Sequence, residues 1–298
     1  MIARLAERSA RLSPETRGAL GMLVATLFFI SMDSLVKELV RHMPPMMAVW
    51  ARYTSQMVVL ALVFAPSIRT VARSRHLGLQ LLRSGLLFAV TVLFFSAVGH
   101  LPLAEAVALM QSAPLFVTAL AALVLAERVG PRRWVAVAIG ACGAMLIVRP
   151  GIGVVHPAAL LALAASLGFA CYQILTRKIG QSDGLATTMF YTALVGTGLA
   201  TAALPWIWET PPVALLPAMA VVGVLGMLGH CCFVWAVSQA PASVLAPFNY
   251  LSLVWAALFG LVLFGEVPEA STMVGASVIV GAGLYVWHRE RQRAAGAG

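Results

Sequence analysis

Charge is what this sequence has least of. Only 10% of its 298 residues are Asp, Glu, Lys or Arg, and just 11 are acids. A water-soluble domain carries about 25% charged residues, so this chain has too few to coat a globular surface in water. Cysteine is scarce too. Cys142, Cys171, Cys231 and Cys232 all fall inside apolar runs, with no disulfide framework or metal-ligand spacing. His230 stands beside Cys231 and Cys232, but adjacent cysteines face different sides of a helix and no second ligand pair is evident, so no metal is expected. A P-loop, an H-E-x-x-H and a G-x-S-x-G are all absent. ATP drive within the chain and hydrolytic chemistry therefore lack their residues. No cofactor is implied, and the chain does not read as an enzyme.

What it has in abundance is apolar surface: 61% of residues are hydrophobic and the mean hydropathy is +0.92. A membrane span takes about 20 mostly apolar residues. Breaks at charges, Pro and Gly give ten runs, at 18–40, 46–65, 77–99, 102–126, 131–149, 156–179, 184–208, 213–238, 241–264 and 269–288. Lipid satisfies no backbone polar group, so the runs must be helices. The first ends in charges with no small-residue cleavage signature and is expected to be retained. Residues 1–17 and 289–298 flank the bundle as polar, basic segments.

The net charge of +9 does not indicate nucleic acid, because most of the charges sit in short clusters between apolar runs. One set of connections holds Arg4, Arg8, Arg11, Arg17, Arg69, Arg73, Arg75, Arg128, Arg132, Arg133, Arg177, Lys178, Arg289, Arg291 and Arg293; the other holds only Lys37, Arg41 and Arg149. The positive-inside rule then predicts a multi-pass protein of the cytoplasmic (inner) membrane with both termini cytoplasmic.

The chain also repeats itself. At a shift of 139 residues Phe94 meets Phe233, Ala97 meets Ala236, Val98 meets Val237, Pro102 meets Pro241 and Glu127 meets Glu266. At a shift of 140, Leu23, Ala25, Phe29 and Leu35 meet Leu163, Ala165, Phe169 and Leu175, and Lys37 meets Arg177. The expected units are 18–149 and 156–288, of five helices each. Five is odd, so the second copy enters the membrane from the opposite side. The fold class predicted is an all-α membrane protein of ten helices, in two inverted-topology repeats around a central cavity. Such halves can exchange conformations and open a midplane site to either side in turn.

The tract Leu101-Pro102-Leu103-Ala104-Glu105-Ala106, followed by Ala113-Pro114-Leu115-Phe116-Val117-Thr118-Ala119-Leu120 and Leu125-Ala126-Glu127-Arg128, resembles the fourth-helix signature of EamA-type transporters of the drug/metabolite transporter superfamily. Gln239-Ala240-Pro241-Ala242-Ser243 through Leu263-Phe264-Gly265-Glu266 is similar, but Leu253 stands where the first copy has Pro114, predicting a straighter ninth helix. The resemblance implies a central cavity and carriage of a small metabolite. Met32-Asp33-Ser34-Leu35-Val36-Lys37 with Arg52 resembles a subgroup that includes bacterial riboflavin and S-adenosylmethionine carriers, which fixes no cargo.

Ionisable groups inside spans are costly and face the bundle interior. Asp33 and Lys37 share a helical face, and Asp33 lies about 9–10 Å deep at 1.5 Å per residue. Arg52 reaches a similar depth. A pair between Asp33 and Arg52 would be a structural bridge, or else a gate or substrate contact. Gln56, one turn from Arg52, and Gln111, Asn249 and Tyr250 near midplane suit either a pocket wall or hydrogen bonding between helices. Tyr191, Trp235 and Trp255 suit an aromatic wall or a lipid-facing anchor. Glu105 suits a first-turn cap on its helix or a proton-coupling acid. Glu127 and Glu266 sit where an acid opposes the helix dipole, so each needs a compensating amide or base, as a structural latch would supply. The small residues Gly140, Gly143 and Ala144, and Gly275, Gly281 and Gly283, fit close helix packing within a monomer or across a homodimer. A small-molecule substrate and membrane lipid are the expected partners. The alternatives to secondary transport are an intramembrane enzyme acting on a lipid or peptide, or a channel or receptor-like binding protein.

Overall fold

The computed structural model describes residues 13–124, 130–149, 156–179, 183–240 and 242–295, and among them every regular element is a helix. We number these α1 Pro14–Leu39, α2 Pro45–Phe64, α3 Leu77–Val98, α4a Leu103–Met110, α4b Ala113–Val124 and α5 Pro131–Val148. The second unit comprises α6 Pro157–Ile179, α7 Leu185–Ile207, α8 Leu216–Gln239, α9a Ala242–Asn249, α9b Leu251–Phe264 and α10 Ala270–Ala295. Among the described residues nine helical stretches are long and apolar enough to cross a membrane, and Trp134–Val148 is a shorter apolar tenth. The second span runs on to Val71, and α10 continues through residues 289–295 of the expected tail. Expectations resting on residues 1–12 and on Glu127 and Arg128 lie outside the described residues.

Local signals start and stop these helices. α1 begins with Ser13 accepting the Thr16 amide (3.2 Å), Pro14 at the first turn and Glu15 beside it. α9b ends at Gly265, whose φ of 68° suits glycine, and the amide of Glu266 returns to the Gly260 carbonyl (2.9 Å). That turn aims Glu266 back at the bundle.

Packing follows the duplication. α1 packs on α8 and α3 on α6; exchanging each helix for the one five places along turns the first pair into the second. The same exchange converts α2–α8 into α7–α3 and α1–α9 into α6–α4, while α2–α7 and α5–α10 map onto themselves. With five crossings each, the units traverse the membrane in opposite senses. The start of α1 and the end of α10 therefore lie on one face, the terminal face, and the ends of α1, α3, α5, α7 and α9b lie on the far face. One apolar core, from Ile30 through Tyr53, Phe95 and Leu109 to Ala256 and Ile279, crosses from unit to unit.

The fourth and ninth helices both break, after the repeat-equivalent residues Met110 and Asn249. The straightness expected from Leu253 is therefore not observed. In the first copy Pro114 follows the break; in the second, Pro247 precedes it, removing an amide from the ladder on the other side. The freed groups find partners: Gln111 Nε2 donates to the Asn249 carbonyl (3.3 Å), which also accepts the Ser252 hydroxyl (2.7 Å).

Part of each glycine stripe packs within the chain. At the α5–α10 crossing a Cβ on Gly143 would meet the Gly275 carbonyl oxygen at 2.9 Å, and one on Gly275 would meet that of Gly143 at 2.6 Å.

Candidate functional site

Three polar clusters stack along the bundle. On the far face, Lys37 at the end of α1 reaches Glu266 of the α9–α10 turn, Nζ to Oε1 at 2.6 Å, and donates to the Leu101 carbonyl at 2.5 Å. The other Glu266 oxygen accepts the Leu103 amide (2.8 Å), which α4a, starting there, leaves without a partner in its own helix. The carboxylate at the end of α9b is thus compensated by both a base and an amide. Arg149 pairs with Glu269 nearby, and Arg41 with Glu38 (3.3 Å). Lys37, Arg41 and Arg149, the cations read onto this face, thus each have an acidic partner. Glu105 begins α4a within the fields of Arg149, Glu269 and Lys37, with no ion pair of its own among the described residues.

On the terminal face, Asp183 in the α6–α7 turn accepts from Ser74 Oγ (2.5 Å), the Arg75 amide (3.0 Å) and Gln80 Nε2 (3.0 Å). Burial pushes the Asp183 carboxyl up, but these three donors, with His76 nearby, together pull it below its ordinary value. Tyr191 donates to the Ala72 carbonyl (2.7 Å), so its hydroxyl ties α7 to the end of the second span. Just inside lies Arg83, 2% exposed. It donates to Thr176 (3.0 Å), Tyr172 (2.9 Å), Thr192 (3.2 Å), the Thr188 carbonyl (3.4 Å) and Gln80 Oε1 (3.3 Å). Gln80 therefore relays the Arg83 charge to Asp183.

Between the faces sit Asp33, Arg52 and Gln56, each 7% exposed. No ion pair joins Asp33 to Arg52, although the charge of Arg52 acts on Asp33. Lys37, one turn from Asp33, pairs instead with Glu266. Arg52 Nη1 donates to Thr91 Oγ1 (2.6 Å), which also bonds the Tyr53 hydroxyl (2.8 Å). Its guanidinium lies 5.0 Å from the Tyr53 ring and 5.6 Å from that of Phe95. His230, which a shift of 139 places on Thr91, is held within the field of Arg52 and bonds the Gly226 carbonyl (3.3 Å).

The remaining candidates are placed as follows. Gln111 and Asn249 meet at the two helix breaks. Tyr250 turns its hydroxyl onto Gly283 of α10. Trp255 packs half-buried on the main core with its indole N–H unpartnered among the described residues, and Trp235 is exposed. A cavity of about 420 Å³ lies among α4b, α5 and α6, lined by Ser112, Leu115, Phe116, Gly140, Ala144 and neighbouring apolar residues. It borders none of Gln56, Gln111, Asn249 or Tyr250. Among the described residues no group of His, Cys, Asp and Glu is arranged to hold a metal.

Thr91, Gln80 and Asp183 were not singled out from sequence. Hydroxyls inside apolar runs are too common to stand out, and Asp183 lies in a short connection without a motif. Arg83 falls inside the apolar run 77–99, and its hydroxyl partners come from two other helices.

This arrangement can be compared with known proteins. The EamA-like transporter family model matches residues 16–149 and again 156–287, so the chain belongs to that family. A riboflavin transporter of Vibrio cholerae is 30% identical over 285 residues, covering 93% of this chain and 95% of the relative. An S-adenosylmethionine uptake transporter of Rickettsia bellii is 28% identical over 240 residues, covering 80% of this chain and 82% of the relative. A crystal structure of a protein with 18% identity shares the fold, with a TM-score of 0.65 over 93% of this chain and 98% of that one. The chain is a multi-pass membrane protein of a transporter family whose relatives carry small molecules.

Proposed function

We propose that this protein is a secondary transporter that moves a small organic metabolite across the cytoplasmic membrane by alternating access, with both termini cytoplasmic. The observation that supports this most is the pairing of polar clasps across the two units. Lys37 and the α3–α4 turn hold Glu266 on the far face, and Ser74, Arg75 and Gln80 hold Asp183 on the terminal face. Each clasp joins the first unit to the second, so each face can be released only by moving one unit against the other. Asp33, Arg52 and Gln56 lie between the clasps, where a cargo site reached from either face belongs. Lys37 is then a gate residue of the far face, Tyr191 a clasp of the terminal face, and Gln111 and Asn249 set the bend of the two broken helices. Export and import fit this geometry equally.

The test is counterflow by the purified protein in proteoliposomes with riboflavin, S-adenosylmethionine, amino acids and nucleosides. Saturable exchange of at least one compound is expected. Single-channel currents in planar bilayers, or turnover of lipid or peptide, would overturn the reading.

A further inference from the structure

The interior cluster contains hydrogen-bonding capacity that no described residue uses. Arg52 gives Nη1 to Thr91 and leaves Nε buried without a partner. Asp33, on the neighbouring helix, accepts no hydrogen bond and forms no ion pair among the described residues. The Gln56 side-chain amide, on the same face of α2 as Arg52, is likewise unbonded among them. A carboxylate and a guanidinium taken out of water recover part of their desolvation cost by pairing. These two do not pair. Arg52 is held away by Thr91 and by the Tyr53 and Phe95 rings. Its free Nε edge faces α8 at Gly226, where a Cβ would stand 3.7 Å from Nε.

The other buried cations offer no such opening. Arg83 is surrounded by oxygen acceptors and relayed to Asp183, and Lys37 is bound to Glu266. The unspent groups are therefore one acid, one base and one neutral amide, at one level of the bundle.

We propose that the cargo carries an α-amino acid head group, its carboxylate taken by Arg52 with Gln56 and its ammonium by Asp33. This rests on the transport reading above. A zwitterion compensates both buried charges at once, whereas a lone anion leaves Asp33 exposed to an apolar interior and a lone cation does the same to Arg52. The planar fork of Arg52 suits a carboxylate, and the acceptor-only carboxylate of Asp33 suits an ammonium.

The test uses the purified full chain in proteoliposomes. Counterflow is measured for the common amino acids and S-adenosylmethionine, each beside its decarboxylated amine and its deaminated acid, with riboflavin as a compound lacking the head group. At least one amino acid compound should exchange, and removing either charged group should slow exchange at least about tenfold, as expected for one lost charged hydrogen bond. Arg52→Gln should abolish the preference for the carboxylate, and Asp33→Asn the preference for the amine. Arg52→Lys, which keeps the charge without the fork, should retain part of the preference and guards against a variant that fails to fold. Exchange of riboflavin, or of singly charged compounds as fast as amino acids, would overturn the head-group assignment and leave transport standing. Exchange of a nucleoside but of none of these compounds would overturn the head-group assignment alone, and exchange of no compound at all would overturn both.

Discussion

Glu266 shows how one carboxylate can hold three segments. Gly265 turns the chain, Lys37 neutralises the charge and the Leu103 amide takes the second oxygen. Removing the half-buried Glu266 leaves the buried Lys37 charge uncompensated, which costs at most about 3–5 kcal/mol, the figure for a fully buried pair, whereas removing both costs less. Glu266→Gln should therefore lower the melting temperature in detergent more than Lys37→Met with Glu266→Gln does. An equal or larger loss in the double variant would mean that the single change strands no charge. Asp183 has its own signature. Its folded pKa lies below the ordinary 3.8, so its contribution to stability is fully present above that value and is lost as pH falls through the folded one. Melting curves across this acid range should show the loss, and Asp183→Asn should remove that part of the dependence. The sequence showed Glu266 as an acid needing compensation, but not which base, because Lys37 is distant in the chain and equally suited to Asp33 by spacing. The sequence led to the expectation that Asp33 and Arg52 share a depth, and the charge of Arg52 acts on Asp33, whereas the bond from Arg52 to Thr91 depends on a third helix.

The broken and glycine-lined helices carry the next level. Pro114 pointed to a fourth helix less straight than the ninth, but not to a break. The break in the ninth was not predicted, because Leu253 stands at the position matching Pro114 and the proline of the second copy, Pro247, lies on the opposite side of the break. The breaks are equivalent although the prolines are not, so the break belongs to the packing of the repeat and each proline accommodates it. The glycines make a sharper comparison. Gly143 and Gly275 face each other's carbonyls, while among the described residues nothing lies within 4 Å of a Cβ on Gly281. Gly275→Ala should push α5 and α10 apart at a cost of about 1–3 kcal/mol. Gly281→Ala should be neutral or stabilising by up to about 1 kcal/mol through helix propensity. Thermal denaturation of both variants in one detergent decides it, and similar destabilisation by both would contradict the close crossing. Spacing alone could not separate packing within the chain from a dimer seam, since both use small residues at helical intervals.

At the scale of the molecule, the duplicated pattern and the alternation of charged connections were legible because they depend on composition and period. What sequence left open was which pairs of helices touch. Those pairs explain why the clasps matter: the far-face clasp fastens α1 and the α3–α4 turn to the α9–α10 turn, across the boundary between units. If transport requires that face to open, fixing the clasp should stop the cycle at a step no change of cargo can bypass. Lys37→Cys with Glu266→Cys, in a background without Cys142, Cys171, Cys231 and Cys232, places two thiols for a short bis-methanethiosulfonate, which joins them through two reducible disulfides. Counterflow of any exchanged compound should fall to background on cross-linking and return when a reductant cleaves the link, while the uncross-linked double variant keeps measurable exchange. Each single-cysteine variant treated alike should be unaffected, which separates the link from simple modification. Loss of exchange in the double variant before cross-linking would instead assign the pair to holding the fold, a result its melting temperature would show independently. Full exchange with the link in place would mean that cargo passes without the far face separating there, and alternating access through that clasp would be wrong.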